Sequence, residues 1–417
     1  MDNINLSIFG ATGFIGSFVL SLIDKMDHDK KPEIFLMSGY SQIKKLVKLQ
    51  EKYRAKYLFI PQAYKEDLLN SLPLNLRKIT KIITSFEELY QIYYKINKAK
   101  HFIINGIIGI NGMIPTFLSQ HFNIYCGCAN KESIIVSYEL FDDFDSSLIF
   151  PLDSEHNAIY QLLPSCPIEK IEKIYITGSG GKVYGKDDEE INLLDFDEIL
   201  NHPNWNMGAR ITIDSSSGIN KTFEFIEVQA LFSIPKGKIE VLIDTKSQIH
   251  AIIQDINNSY YIAASYPDML LPIAKFLEKI GLNPLYKTNE IINKSIKFDL
   301  SRDIEKTYPL LTLFVNNYKN EFIEGTILLF LNSYLQDLFF SKKINFQKLR
   351  KLLIDSYKTL FINYEKSFNL IIDKNNNLKR FSFREKEDYN NLLYFTNHIF
   401  KNTINFLKEK KILEEQW

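Results

Sequence analysis

The chain has 417 residues, enough for two or three domains at roughly 100–200 residues each. Lysine plus arginine totals 50 and so does aspartate plus glutamate, so no global charge draws the chain to nucleic acid or to an anionic membrane, and any basic site is local. Three cysteines, Cys126, Cys128 and Cys166, are few and odd in number, which argues against a disulfide framework and for a reducing, cytoplasmic compartment.

The elements follow in chain order. Residues 4–9 (INLSIF) read as a strand, followed by GATGFIG at Gly10–Gly16 and an apolar helix. A strand pattern from about Ile4 leaves no room for a cleaved leader. Further strands are expected at Glu33–Met37, 57–60, 81–84, 101–105 and 123–129, with helical segments between them. Alternating strands and helices predict an α/β, Rossmann-like parallel sheet covered on both faces over residues 1–150. From about 151 to 280 the texture changes to an α+β mixture, read as a catalytic domain. Residues 281–310 read as a connector, and 311–417 as a helical domain. Within it, Thr326–Phe340 is interrupted by Asn332, Gln336 and Asp337, and is shorter than the roughly 20 residues a membrane span needs, so it is expected as a buried helix.

The glycine run carries the first chemistry. Gly10, Gly13 and Gly16 between a strand and a helix permit a tight turn and close approach of backbone to a pyrophosphate, which rests on the helix N-terminus. The second strand ends in Met37-Ser38-Gly39-Tyr40-Ser41-Gln42, without the acid that would bond a ribose 2′-hydroxyl. Lys44 and Lys45 follow, which favours a 2′-phosphate and NADPH; a solvated helix face is the plainer reading of both lysines.

PLDSEHNAI holds Asp153 and Glu155. On an extended segment, positions two apart share a face, and two carboxylates aimed at one point repel unless a cation sits between them; hard oxygen ligands suit Mg²⁺ or Mn²⁺, while an ordinary surface Asp-x-Glu is the plainer reading of the pair alone. Glu224 is a third carboxylate, one helical turn beyond Asn220-Lys221; a solvated helical pair is the plainer reading of Lys221 and Glu224. For a phosphate, TGSGG at 177–181 offers backbone N–H groups and the Ser179 hydroxyl, in the composition of an anion nest. DSSSGINK adds Ser215, Asn220 and Lys221. The loop HPNWNMG places His202, Trp205 and Met207 where a lid or a packing anchor would sit.

Together these stretches resemble the 1-deoxy-D-xylulose 5-phosphate reductoisomerase family. GATGFIG, GIIGINGMIPT (106–116), ANKES (129–133), PLDSEHNAI (151–159), TGSGG, HPNWNMG, DSSSGINK with FEFIE, SQIH (247–250) and YPDM (266–269) occur in the family's order over roughly residues 4–280. The resemblance implies NADPH-dependent rearrangement and reduction of the sugar phosphate to 2-C-methyl-D-erythritol 4-phosphate, in a homodimer. It implies Mn²⁺ or Mg²⁺ on Asp153, Glu155 and Glu224, with Lys131, Glu155, His156 and Glu224 in the catalytic set. Lys131 and Ser154 would contact the reacting portion of the substrate. Ser179, His202, Ser215, Asn220 and Lys221 would hold its phosphate, and Trp205 and Met207 would close over the site. The cofactor would meet Thr12, Gly13, Phe14, Ile15, Gly39, Tyr40, Ser41, Asn130, Glu132 and Gly208.

The departures are specific. Phe14 stands where the family has Ser, and Tyr40-Ser41 where it has Lys-Asn. SGGPF continues as Ser179-Gly180-Gly181-Lys182-Val183, and DSATMMNK reads DSSSGINK. NAANE has a partial counterpart in Asn317-Tyr318-Lys319-Asn320-Glu321. Two other readings follow from such changes. One is a divergent NADPH oxidoreductase acting on another phosphorylated hydroxyketone, and the other is a non-catalytic homologue. Retention of His202, Trp205, Asn220, Lys221 and all three carboxylates argues against both.

Overall fold

A computed structural model describes residues 4–201, 204–205, 208–287, 289, 299–319, 323–363 and 381–414. The chain forms two compact units. The first comprises Met1–Ser133, Asp145–Asn157 and Asp268–Asn289, and the second Ile134–Phe144, Ala158–Pro267 and Glu290–Trp417.

The first unit is built on seven strands: β1 (Asn5–Phe9), β2 (Glu33–Ser38), β3 (Tyr57–Phe59), β4 (Lys81–Ile83), β5 (His101–Asn105), β6 (Cys126–Cys128) and β7 (Ile149–Pro151). Their order is β4-β3-β2-β1-β5-β6-β7, and every pairing is parallel. The central strands are near-continuous apolar runs because helices cover both faces: Leu6, Ile8, Phe9, Leu36, Met37, Ile103 and Ile104 are buried. Cys126 and Cys128 are buried in β6 and are not joined in a disulfide. Strand order reverses between β1 and β5, and such a switch point opens a crevice at the carboxyl ends of the strands. The helix Leu270–Lys279 also packs here, with Phe276 against Tyr125 and Phe150 at ring separations of 6.0 and 5.5 Å.

The second unit holds a five-stranded sheet, with strands β8 (Ile171–Gly178), β9 (Ile239–Asp244), β10 (Ile249–Asp255), β11 (Tyr260–Ala264) and β12 (Leu300–Ser301) in the order β11-β10-β8-β9-β12. Only the β8–β9 pairing in it is parallel. Its helix Ile219–Phe232 is buried at every position but Asn220. The helices Pro309–Asn317, Glu324–Phe340, Phe346–Tyr357 and Glu387–Glu409 follow. The last is amphipathic, burying Tyr389, Leu392, Thr396, Ile399, Thr403 and Leu407 at helical spacing. Among the described residues no helix is long and apolar enough to cross a membrane.

A buried carboxylate caps Glu324–Phe340. Glu139 accepts the backbone N–H groups of Gly325 and Thr326 at 3.0 and 2.8 Å and the Thr326 hydroxyl at 2.7 Å. These are N–H groups a helix leaves unpaired at its start, and a negative group there complements the helix dipole. Glu324 itself accepts the Tyr357 hydroxyl at 2.9 Å and the Lys319 N–H at 3.2 Å. Burial pushes the carboxyls of Glu139 and Glu324 each up to about 7.

Candidate active site

In the first unit the glycine turn leaves β1 at its carboxyl end. The Gly10 N–H donates to Ser38 Oγ at 2.7 Å and Ala11 N–H to the Ser38 carbonyl at 2.9 Å, so the turn is tied to the end of β2. Gly16 admits no side chain, because a Cβ there would fall 2.4 Å from the Gly10 carbonyl oxygen. Thr12, Gly13, Phe14 and Ile15 therefore form a tight strand-to-helix junction, with the helix running Phe14–Asp24. Gly39 lies against Thr12, and Tyr40 is exposed with its ring edge-on to Tyr64, centroids 5.4 Å apart. Ser41 is exposed beside it. Lys45 donates to the Thr12 carbonyl at 2.7 Å and to Ser17 Oγ at 3.0 Å, so it pins the turn; Lys44 is exposed. That role was not read from the sequence, because residues 12 and 45 meet only after β2 has been paired.

ANKES forms a second support. The Asn130 side-chain oxygen accepts Ser133 N–H at 2.7 Å, the pattern of a helix cap, and precedes the helix Lys131–Leu140. Its amide nitrogen donates to the carbonyls of Ile107 and Gly109 at 2.9 and 3.0 Å and to Glu132 at 2.8 Å, while Glu132 accepts Gly109 N–H at 3.2 Å. Asn130 and Glu132 thus hold the loop after β5, on the far side of the switch point from the glycine turn.

Asp153 and Glu155 do not lie on an extended segment, as their spacing had suggested. β7 ends at Pro151, and Ser154–Leu162 is a helix. Asp153 Oδ1 accepts the backbone N–H groups of Glu155 and His156 at 3.2 and 3.4 Å, so it caps that helix and Glu155 sits in its first turn. Lys131 forms an ion pair with Asp153 Oδ2, and the buried His156 ring nitrogen lies 2.9 Å from Asp153 Oδ1. Ser154 Oγ donates to Glu155 at 2.5 Å. Lys131, Asp153, Ser154, Glu155 and His156 are therefore one cluster at the carboxyl end of the sheet.

The second unit gathers another set. Glu224, fully buried, accepts from the Asn220 amide and pairs with Lys221, itself buried. The i to i+3 and i+4 spacings put all three on one helix face, as expected, but the site is interior rather than solvated. A Cβ on Gly178 would fall 3.3 Å from Lys221 Cε, and one on Gly181 would fall 2.9 Å from Ser216 Oγ, so the turn carrying Ser179 lies between Lys221 and the helix bearing Ser215. The turn's N–H groups are already engaged at two points: Gly180 N–H donates to the Tyr308 hydroxyl at 2.8 Å and Gly181 N–H to Ser179 Oγ at 3.1 Å. Gly208 is the exposed residue before the helix Ala209–Ser217. Trp205 is half-buried with its ring 6.1 Å from His250, and Asn204 donates to the Thr245 carbonyl at 2.7 Å and Ser247 Oγ at 2.9 Å. His202 and Met207 lie outside the described residues, as do Asn320 and Glu321.

Residues 6–137 match the family model of 1-deoxy-D-xylulose 5-phosphate reductoisomerase, and residues 149–232 match that of its C-terminal domain. The reductoisomerase of Sulfurihydrogenibium sp. is 32% identical over 381 residues, 90% of this chain and 97% of that protein. This chain belongs to the 1-deoxy-D-xylulose 5-phosphate reductoisomerase family. The reductoisomerase of Persephonella marina is 37% identical over 268 residues, covering 64% of this chain and 67% of its own length. Among solved structures, a reductoisomerase in complex with NADPH, fosmidomycin and magnesium has a TM-score of 0.78 at 25% identity, covering 98% of this chain and 99% of that one. The Zymomonas mobilis reductoisomerase in complex with NADPH shares the fold, with a TM-score of 0.73 at 23% identity.

Proposed function

We propose that this chain converts 1-deoxy-D-xylulose 5-phosphate to 2-C-methyl-D-erythritol 4-phosphate with NADPH and a divalent Mn²⁺ or Mg²⁺ ion. The observation that carries the reading is the set of three carboxylates on family motifs, two of them held beside a cation. Asp153 is paired with Lys131 and Glu224 with Lys221. With Glu155 they make an all-oxygen donor set, which suits a hard divalent ion. The glycine turn suits a dinucleotide because it joins β1 to the helix Phe14–Asp24 beside the switch point, and Gly10 lets it pack directly on the backbone of Gly106 after β5.

Asp153, Glu155 and Glu224 would hold the divalent ion, which would supply Lewis acidity toward the substrate's ketone and neighbouring hydroxyl, and NADPH at the glycine turn would be the source of hydride. The chain's own residues do the rest. His156 acts through Asp153: its imidazole and the two backbone N–H groups fix the carboxylate's direction, as an outer hydrogen-bond partner orients a ligand. Lys131 places an ammonium group beside the reacting oxygens, and Ser154 orients Glu155. Ser179, His202, Ser215, Asn220 and Lys221 anchor the phosphate, and this remote binding energy holds the reacting carbons in place. Trp205 and Met207 cover the substrate. Thr12, Gly13, Phe14, Ile15, Gly39, Tyr40, Ser41, Asn130, Glu132 and Gly208 line the cofactor site. The protein works as a cytoplasmic homodimer. The test is product identity: incubation with deoxyxylulose phosphate, NADPH and Mn²⁺ yields methylerythritol phosphate by NMR. Reduction of the substrate with its carbon skeleton unrearranged would contradict the proposal.

A further inference from the structure

We propose that Tyr308 is the positioning residue that sets the shape of the phosphate subsite, an inference resting on the assignment of Ser179, Ser215, Asn220 and Lys221 to the phosphate. Tyr308 is 1% exposed and immediately precedes Pro309, the first residue of the helix Pro309–Asn317. Its fixed, buried ring reaches three glycines that bound the phosphate residues. At Gly180 it is the hydrogen-bond acceptor, taking the backbone N–H at 2.8 Å. At Gly178 a Cβ would lie 3.0 Å from the Tyr308 hydroxyl and 3.3 Å from Lys221 Cε, so the hydroxyl and the lysine stem flank the same residue. At Gly218 a Cβ would lie 2.6 Å from Tyr308 Cδ1.

Each contact constrains a different phosphate residue. Gly180 and Gly181 have φ of +80° and +59°, a pair of left-handed residues with large freedom in an unanchored chain. The Tyr308 hydroxyl fixes the first and Ser179 Oγ the second, so the direction of Ser179 depends on the tyrosine. Gly218, at φ +82°, ends the helix Ala209–Ser217 and starts Ile219–Phe232. That break separates Ser215 from Asn220 and Lys221, and the ring packed on Gly218 sets its angle. One side chain thus ties together the turn and both helices, whose hydroxyls, amide and ammonium meet at the phosphate. Sub-ångström placement of such groups is governed by the residues behind them.

Tyr308→Phe keeps the ring on Gly218 and removes only the acceptor for Gly180. The expected result is a KM for deoxyxylulose phosphate raised about fivefold, the worth of one neutral hydrogen bond, with kcat and the KM for NADPH changed less than about twofold. Inorganic phosphate, read as a competitive inhibitor against deoxyxylulose phosphate, weakens in parallel. Tyr308→Met, which keeps apolar bulk on Gly218 and likewise lacks the hydroxyl acceptor for Gly180, gives the same split and carries the test if Tyr308→Phe does not fold. An unchanged KM, or a loss shared equally by kcat and NADPH binding, overturns the inference. Lys221→Ala separates the two claims. If it raises the KM at least tenfold, as loss of a charged anchor should, while Tyr308→Phe does nothing, only the role of Tyr308 falls. If Lys221→Ala leaves the KM unchanged, the phosphate assignment falls and the inference with it.

Discussion

Lys131 and Lys221 pair with Asp153 and Glu224, so the charge of these carboxylates is shared with an ammonium group. Affinity for a divalent ion therefore rests on the full set of negative oxygens. Asp153→Asn and Glu224→Gln keep shape and remove charge. Either is expected to raise the Mn²⁺ concentration for half-maximal activity by roughly tenfold or more, measured by titrating Mn²⁺ into chelator-treated protein. Full activity at limiting Mn²⁺ would refute the assignment. The cofactor site gives a second expectation. β2 ends without an acid, so NADPH is preferred to NADH, but the lysine nearest the turn is spent on Thr12 and Ser17 and Tyr40 is uncharged. The preference is accordingly modest, about tenfold in kcat/KM or less, against the roughly 1.5–3 kcal/mol a charge-assisted contact supplies. Equal or better kcat/KM with NADH would show the loop at Ser38–Ser41 to be misread. At this scale the sequence brought out Asp153 and Glu155 as a candidate pair in PLDSEHNAI better than it placed them. Their helix cap was not legible, because a cap depends on where β7 stops.

Elements were legible where one period dominates a segment. The strand at His101–Asn105 has the bounds its sequence predicts, and the apolar run to Phe340 is a buried helix, Glu324–Phe340. The cap on that helix was not legible, since Glu139 reaches it across 186 residues of chain. It carries a pH signature. Folding raises the Glu139 and Glu324 carboxyls from an ordinary 4.5 to about 7, so between those values these two groups bind more protons in the native chain than in the unfolded one. Their contribution to stability therefore falls as pH rises from about 4.5 to 7 and levels off above, while burial of His101, which lowers it to about 4, contributes the opposite slope below 6.5. Glu139→Gln removes one of the two groups and is expected to flatten the pH dependence of Tm across that window, read by thermal melts at constant ionic strength. A slope as steep as that of the parent chain would show that Glu139 does not titrate there.

For the molecule as a whole, α/β class and a parallel N-terminal sheet followed from alternating strand and helix patterns, and the observed order β4-β3-β2-β1-β5-β6-β7 supplies the switch point such folds use for dinucleotides. Sequence order groups the helix Leu270–Lys279 with the central domain, whereas Phe276 packs on Tyr125 and Phe150 of the first unit. No local period reports such a return, because it is decided by long-range packing. The departures at Tyr40, Lys182 and Gly218 leave the carboxylates, Asn220 and Lys221 in place, which is why the account assigns this chain catalysis and not binding alone. The measurement that tests this most directly is NADPH absorbance in the presence of Mn²⁺ and deoxyxylulose phosphate. The expected result is oxidation of NADPH that requires both the substrate and the metal, consumes one NADPH per substrate and stops on adding chelator. Tight binding of NADPH and Mn²⁺ with no oxidation on adding deoxyxylulose phosphate would contradict it.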